Sequence, residues 1–199
     1  MSDLFVKICG ITNTEDAQIA IDAGASAIGI VLSEATRQIE IAEAHKIRAL
    51  VTEPVQLVGV FRNITDPRVV KNLASEIGLT TVQLHDTAPE VVEEIARTCD
   101  VLEAFAFNDL ALSEASSAGV PFIVDSVDPG SGQLFNHENL KGLDGDFIVA
   151  GGLTPDNVSS VVAATQPYGV DVSSGVCGDD PRKKDPDKVA SFIHSARNT

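Results

Sequence analysis

Basic residues are scarce in this chain. Only 14 lysines and arginines stand against 29 aspartates and glutamates, for a net charge of −15 and a pI near 4.4. A surface of that sign repels nucleic-acid phosphates and anionic membranes, which excludes both as main partners. Cysteine is scarce too. Cys9, Cys99 and Cys177 are far apart, odd in number and form no C-x-x-C pair. Neither a disulfide framework nor a zinc site is expected, and a reducing cytoplasm fits. No basic segment leads into a long apolar run, so neither a signal peptide nor a transmembrane helix is expected. Linkers, low-complexity tracts and charge blocks are missing as well. With 44% hydrophobic and 22% charged residues, the 199 residues read as one globular domain spanning 1–199.

What the chain does have is alternation. Short, β-branched apolar runs fall at 5–9, 27–32, 56–61, 81–85, 101–105, 121–125, 147–151 and 169–173. Between them lie helical patterns at 15–23, 41–50, 67–77, 89–97, 155–164 and 186–196. Thr154 before Pro155 and Asp185 before Pro186 read as helix entries, a capping side chain followed by a residue suited to the first turn. The segments 108–118 and 136–140 are poor helices. Eight alternations predict a parallel α/β sheet, either closed as a compact (β/α)8 TIM barrel with a weak fifth and sixth helix or left open and doubly wound.

The parity of polar residues along the strands favours closure. Gln83 and His85 oppose Val82 and Leu84; Asp171 and Ser173 oppose Val170 and Val172; Asp125 opposes Phe122 and Val124; Glu103 opposes Leu102 and Ala104. An apolar face suits the strand-to-helix layer, which sends the polar face into the barrel. Much of that polar face lies near the C-terminal ends of strands, where active sites of this fold sit.

Several residues at those ends suggest chemistry. Lys7 and Cys9 share one face of the first strand. A neighbouring cation favours the thiolate, which serves as base or nucleophile; the alternative is a buried structural cysteine. Gly151-Gly152 and Ser173-Ser174-Gly175 follow the seventh and eighth strands, where such barrels hold phosphate on backbone N–H groups. Asp125 ends an apolar run and reads either as a structural acid or as a general acid whose pKa is raised by partial burial. The Gly130-Ser131-Gly132 segment after it reads either as a plain loop or as one that closes over a ligand. Arg37, in the loop after the second strand, suits a carboxylate or an aromatic ring, or else is simply solvated. His85 is more often structural than catalytic, and the tract 179–188 reads as a solvated loop.

These residues fall in ordered motifs: Lys7-Ile8-Cys9-Gly10-Ile11-Thr12, Val58-Gly59-Val60-Phe61, Val82-Gln83-Leu84-His85, Val124-Asp125-Ser126, Ala150-Gly151-Gly152-Leu153-Thr154-Pro155-Asp156-Asn157-Val158 and Gly169-Val170-Asp171-Val172-Ser173-Ser174-Gly175-Val176. Together they resemble the phosphoribosylanthranilate isomerases of tryptophan biosynthesis, in the family's order and over nearly the whole chain. The resemblance implies a compact barrel, no metal or redox cofactor, a small phosphorylated substrate, and a monomer or homodimer in the cytoplasm. It implies an Amadori rearrangement with Cys9 as general base and Asp125 as general acid. It also implies that Arg37 meets the anthranilate moiety, that Lys7 and His85 belong to the substrate site, and that Gly151, Gly152, Ser173, Ser174 and Gly175 hold the phosphate. The chain departs from the family's usual pattern at Ala35-Thr36, at Asp86 in place of glycine, at Ser131, and at Cys177 in place of glutamate.

Overall fold

The computed structural model describes residues 4–107, 119–125 and 140–199. Eight parallel strands close into a barrel in sequential order. They are β1 (Phe5–Ile8), β2 (Ala27–Val31), β3 (Gln56–Arg62), β4 (Thr81–His85), β5 (Asp100–Ala106), β6 (Phe122–Asp125), β7 (Phe147–Val149) and β8 (Gly169–Val172). Among the described residues six α-helices cover them: α1 (Thr14–Asp22), α2 (Ile41–Leu50), α3 (Pro67–Ile77), α4 (Pro89–Ala96), α5 (Val158–Thr165) and α6 (Pro186–Arg197). The weak segment expected at 108–118 and all of 136–140 but Leu140 lie outside the described residues, as does Gly130-Ser131-Gly132. No described helix is long and apolar enough to cross a membrane.

Local sequence explains where the helices begin and end. Asp66 accepts from the Arg68 N–H at 3.0 Å, Pro67 opens the first turn of α3, and Gly78 closes it at φ 77°. Asp185 caps α6 as expected, accepting from the N–H groups of Asp187 and Lys188. The expected entry at Thr154 is corrected: α5 starts at Val158, three residues past Pro155. The Asn157 side chain folds back instead, accepting from the Thr154 N–H at 2.8 Å and donating to the Gly152 carbonyl at 3.0 Å. A side chain spent on bracing a glycine loop postpones the helix by one turn.

Apolar burial is split by strand parity. The outward set, including Val6, Ile8, Ile28, Ile30, Phe122, Val124 and Val170, packs against the helices. A smaller inward set of Leu102, Ala104, Ile123, Ile148 and Ala150 fills the barrel's middle, with Phe5 against it. This corrects one expectation: Leu102 and Ala104 point inward, so Glu103 of β5 faces the helix layer. Register requires it, because Leu102 sits beside inward-facing Gln83, and Glu103 beside outward-facing Leu84 and Phe122. Gln83, His85, Asp125, Asp171 and Ser173 face the barrel mouth as expected, and Lys7 stands beside Asp171.

Candidate active site

The C-terminal strand ends open on a cavity of about 370 Å³. Cys9 and Asp125 both line it. One wall is built by Ala150, Gly151, Gly152, Ser173 and Ser174 from the ends of β7 and β8; another by Ser33 to Arg37, Val60, Arg62 and His85 from the ends of β2, β3 and β4. Residues from seven different strand ends thus converge on a volume suited to a small ligand.

The first of these walls is shaped for an anion. Gly151 and Gly152 adopt φ of 80° and 67°, a left-handed conformation that side chains resist. Gly175 is the middle residue of a short 3-10 turn, Ser174–Val176, and packs so closely on the neighbouring loop that a Cβ there would lie 1.9 Å from the Leu153 carbonyl oxygen. Gly175 therefore acts from behind the cavity, as the contact that lets the two loops approach. Gly175→Ala is expected to lower stability by about 1–3 kcal/mol through overpacking and to raise KM for a phosphorylated substrate. A thermal melt and steady-state kinetics check it; unchanged KM would separate Gly175 from the anion site.

At the cavity floor, Lys7 is fully buried and donates to Asp171 Oδ1 at 3.0 Å. Its ammonium also meets the thiol. A Cβ on Gly29 would lie 2.9 Å from Cys9 Sγ and 3.2 Å from Lys7 Nζ, so both converge on one glycine of β2. Lys7 is not among the cavity-lining residues; its charge is directed at Asp171 and Cys9 rather than outward at a ligand. Burial draws the Lys7 ammonium down, but Asp171 and Cys9 outweigh it and the net direction is up. For Cys9 the balance differs from the sequence expectation. Burial raises the thiol and Asp171 adds to that, while Lys7 opposes them without prevailing. The resting group is a thiol, with a cation beside it that favours the thiolate when a proton is to be moved.

His85 is held neutral. Burial, reinforced by the charges of Arg62 and Lys7, lowers it to about 4, and its Nε2 lies 2.7 Å from Gln83 Nε2. A histidine depressed in the folded state binds fewer protons than in the unfolded chain, so stability is lost as pH falls from 6.5 toward 4. The loss amounts to about 3 kcal/mol at most. His85→Gln should flatten that part of the stability–pH curve in denaturant titrations; an unaltered slope would refute this account of His85.

The tract 179–188 corrects the expectation of a solvated loop. Lys184 is buried, donating to the Ser173 carbonyl at 2.9 Å and lying 3.6 Å from Cys177 Sγ, and burial lowers its pKa. Lys188 donates to the Cys177 carbonyl at 2.8 Å. Arg37 Nε donates to the Pro181 carbonyl at 2.8 Å, and Arg182 donates to the carbonyls of Thr36 and Gln38, which flank Arg37. The loop after β8 thereby straps the arginine loop after β2. Arg37 Cδ and Ser173 Oγ lie 2.6 and 2.8 Å from where a Cβ on Gly10 would stand, so the two loops meet above β1. Sequence reading missed Arg62, Asn157 and Lys184. Arg62 was detectable, since it continues the inward parity of Val58 and Val60 one residue past the expected strand end.

The chain as a whole matches a known family. The family model for N-(5′-phosphoribosyl)anthranilate isomerase matches residues 6–195. The chain belongs to that family. The N-(5′-phosphoribosyl)anthranilate isomerase of Pelobacter propionicus is 39% identical over 205 residues, covering 98% of this chain and 96% of that protein. A phosphoribosylanthranilate isomerase of Thermotoga maritima, a dimeric enzyme solved as generated monomers, superposes with a TM-score of 0.86 at 33% identity, covering 98% of this chain and all of that one. Another phosphoribosyl anthranilate isomerase, solved with reduced 1-(o-carboxyphenylamino)-1-deoxyribulose 5-phosphate, gives 0.86 at 32% identity, covering 98% of this chain and 100% of its own. As a member of the family the chain is an isomerase of tryptophan biosynthesis, an intramolecular oxidoreductase carrying out an Amadori rearrangement of the aldose–ketose type.

Proposed function

We propose that this chain converts N-(5′-phosphoribosyl)anthranilate to 1-(2-carboxyphenylamino)-1-deoxyribulose 5-phosphate with Asp125 as general acid and Cys9 as general base. The observation that carries the assignment is that Asp125 and Cys9 line one cavity whose wall at β7 and β8 is an anion cradle. The phosphate sits at Gly151-Gly152 and Ser173-Ser174, on backbone N–H groups. The anthranilate ring then extends toward Arg37, whose guanidinium suits its carboxylate.

Asp125 gives its proton to the furanose ring oxygen as the C1′–O bond breaks, and the amine lone pair forms the C=N bond of a Schiff base. Cys9 acts as its thiolate: the thiol proton leaves to solvent first, and the sulfur then takes the proton from C2′. Those electrons form the C1′–C2′ bond order of an enolamine while the nitrogen regains its pair. Protonation at C1′ and loss of the C2′ hydroxyl proton give the ketone, so C1′ is reduced and C2′ oxidised with no external electron donor. Lys7 favours the thiolate during this step, and its pairing with Asp171 keeps the ammonium from competing for the substrate's phosphate. Neutral His85 shapes the ring side of the site without adding charge.

The reaction takes place within one (β/α)8 domain spanning 1–199, in the cytoplasm, in a monomer or homodimer. Anthranilate-ring fluorescence, followed after protein is added to freshly made phosphoribosylanthranilate, tests the assignment. Rapid loss with the wild type and none with Asp125→Ala is the expected result. No loss with folded wild type would overturn it.

A further inference from the structure

At the ring side of the cavity stands a second guanidinium that the mechanism does not use. Arg62 ends β3 with the inward parity of Val58 and Val60, lines the cavity, and is paired in register with His85 of β4. Its Nε donates to Asp86 Oδ2 at 2.7 Å. Among the described residues its two Nη groups meet no side-chain or backbone acceptor.

Asp86 makes this contact from a bend. Its φ is 49°, the left-handed region where a side chain is disfavoured and glycine is at ease. Aspartate enters that region more readily than most side chains, and here the bend brings its carboxylate onto Arg62. Stability is not what this pair supplies. The two side chains are 39% and 54% exposed, and exposed ion pairs contribute little. What the pair achieves is geometric: with Nε tied to a carboxylate, the planar guanidinium is held in one plane and its Nη edge is left for a ligand. Its charge already reaches into the site, since Arg62 is among the groups that keep His85 neutral.

We propose that Arg62, aimed by Asp86, is a specificity-determining residue that reads the ring carboxylate of the substrate together with Arg37. This rests on the reading of the site given above and deepens it. The preferred substrates are N-phosphoribosyl arylamines bearing an anionic group on the ring, bracketed by two guanidinia that approach from different loops. Asp86 is a positioning residue, acting only through Arg62.

The test compares N-(5′-phosphoribosyl)anthranilate with the same compound lacking the carboxylate, N-(5′-phosphoribosyl)aniline, for the wild type, Arg62→Gln, Asp86→Asn and the double variant. Arg62→Gln is expected to raise KM for the anthranilate compound about tenfold, the worth of one charged hydrogen bond, with kcat little changed. The preference for anthranilate over aniline should fall by a similar factor. Asp86→Asn should give part of that loss, and the double variant should match Arg62→Gln alone, because residues acting as a unit are not additive. Equal losses on both compounds, an unchanged preference, or additive variants would overturn the inference while leaving the isomerase reading intact. A wild type that turns over neither compound would overturn that reading, and the inference with it.

Discussion

Asp125→Asn is expected to lower kcat by about 10²–10⁴-fold, the usual contribution of a positioned general acid. Cys9→Ala should fall in the same range. Both effects should appear in kcat and kcat/KM together, since proton transfers are made only in the transition state. The double variant should be little worse than either single one, because an acid and a base serving one rearrangement fail as a unit. Asp125 ends β6 and Cys9 follows β1, strands that the closed barrel separates by β7 and β8. Melting curves near those of the wild type would accompany the loss. Near-full activity in both single variants would sink the assignment of acid and base.

The second large effect concerns the buried pair under the site. Asp171→Ala should destabilise the fold by about 3–5 kcal/mol, because it strands an ammonium that is wholly out of water. For a chain of this size that lowers Tm by about 6–20 °C. Replacing both partners, Lys7→Met with Asp171→Leu, should recover most of the stability, since an apolar pair of similar volume commonly matches a buried ion pair. Activity should not recover, because Cys9 then loses the cation in direct contact with it, the largest influence favouring its thiolate. Differential scanning calorimetry and turnover assays on the three proteins give the answer. A double variant as unstable as the single one would show that the pair's value is not electrostatic.

The same groups set the alkaline limit. Lys7 is raised in the folded state, so its contribution is complete below 10.5 and is lost as pH rises through the folded value. Cys9 is raised too, so keeping its thiol protonated favours the fold, and that advantage fades above 9.0. Both signs agree: stability should decline from about pH 9 upward. A Cys9→Ser variant that declines more gradually would assign the first part of that slope.

Much of this molecule was legible along the chain because barrels are built from local signals. The eight apolar runs, the capping aspartate before Pro186, and the glycine loops after β7 and β8 each depend on near neighbours. Glu103 was misread because alternation alone gives two faces without saying which is inside. Only the register with Gln83 on β4 and Phe122 on β6 assigns it to the helix layer. The start of α5 was misread because Asn157 spends its side chain on the Gly152 loop, a choice made by the fold of that loop.

By itself the sequence determined a cytoplasm-compatible acidic protein of alternating strands and helices, and it put an acid, a thiol, a lysine and two glycine loops at strand ends. Tertiary structure decided what those groups are. Lys7 and Asp171 are 164 residues apart and meet only because β1 pairs with β8 to close the barrel. That closure excludes water, and exclusion of water is what keeps Cys9 a thiol, keeps His85 neutral and directs the Lys7 charge inward. Charge states depend on solvation and distance, and neither is written in the order of residues.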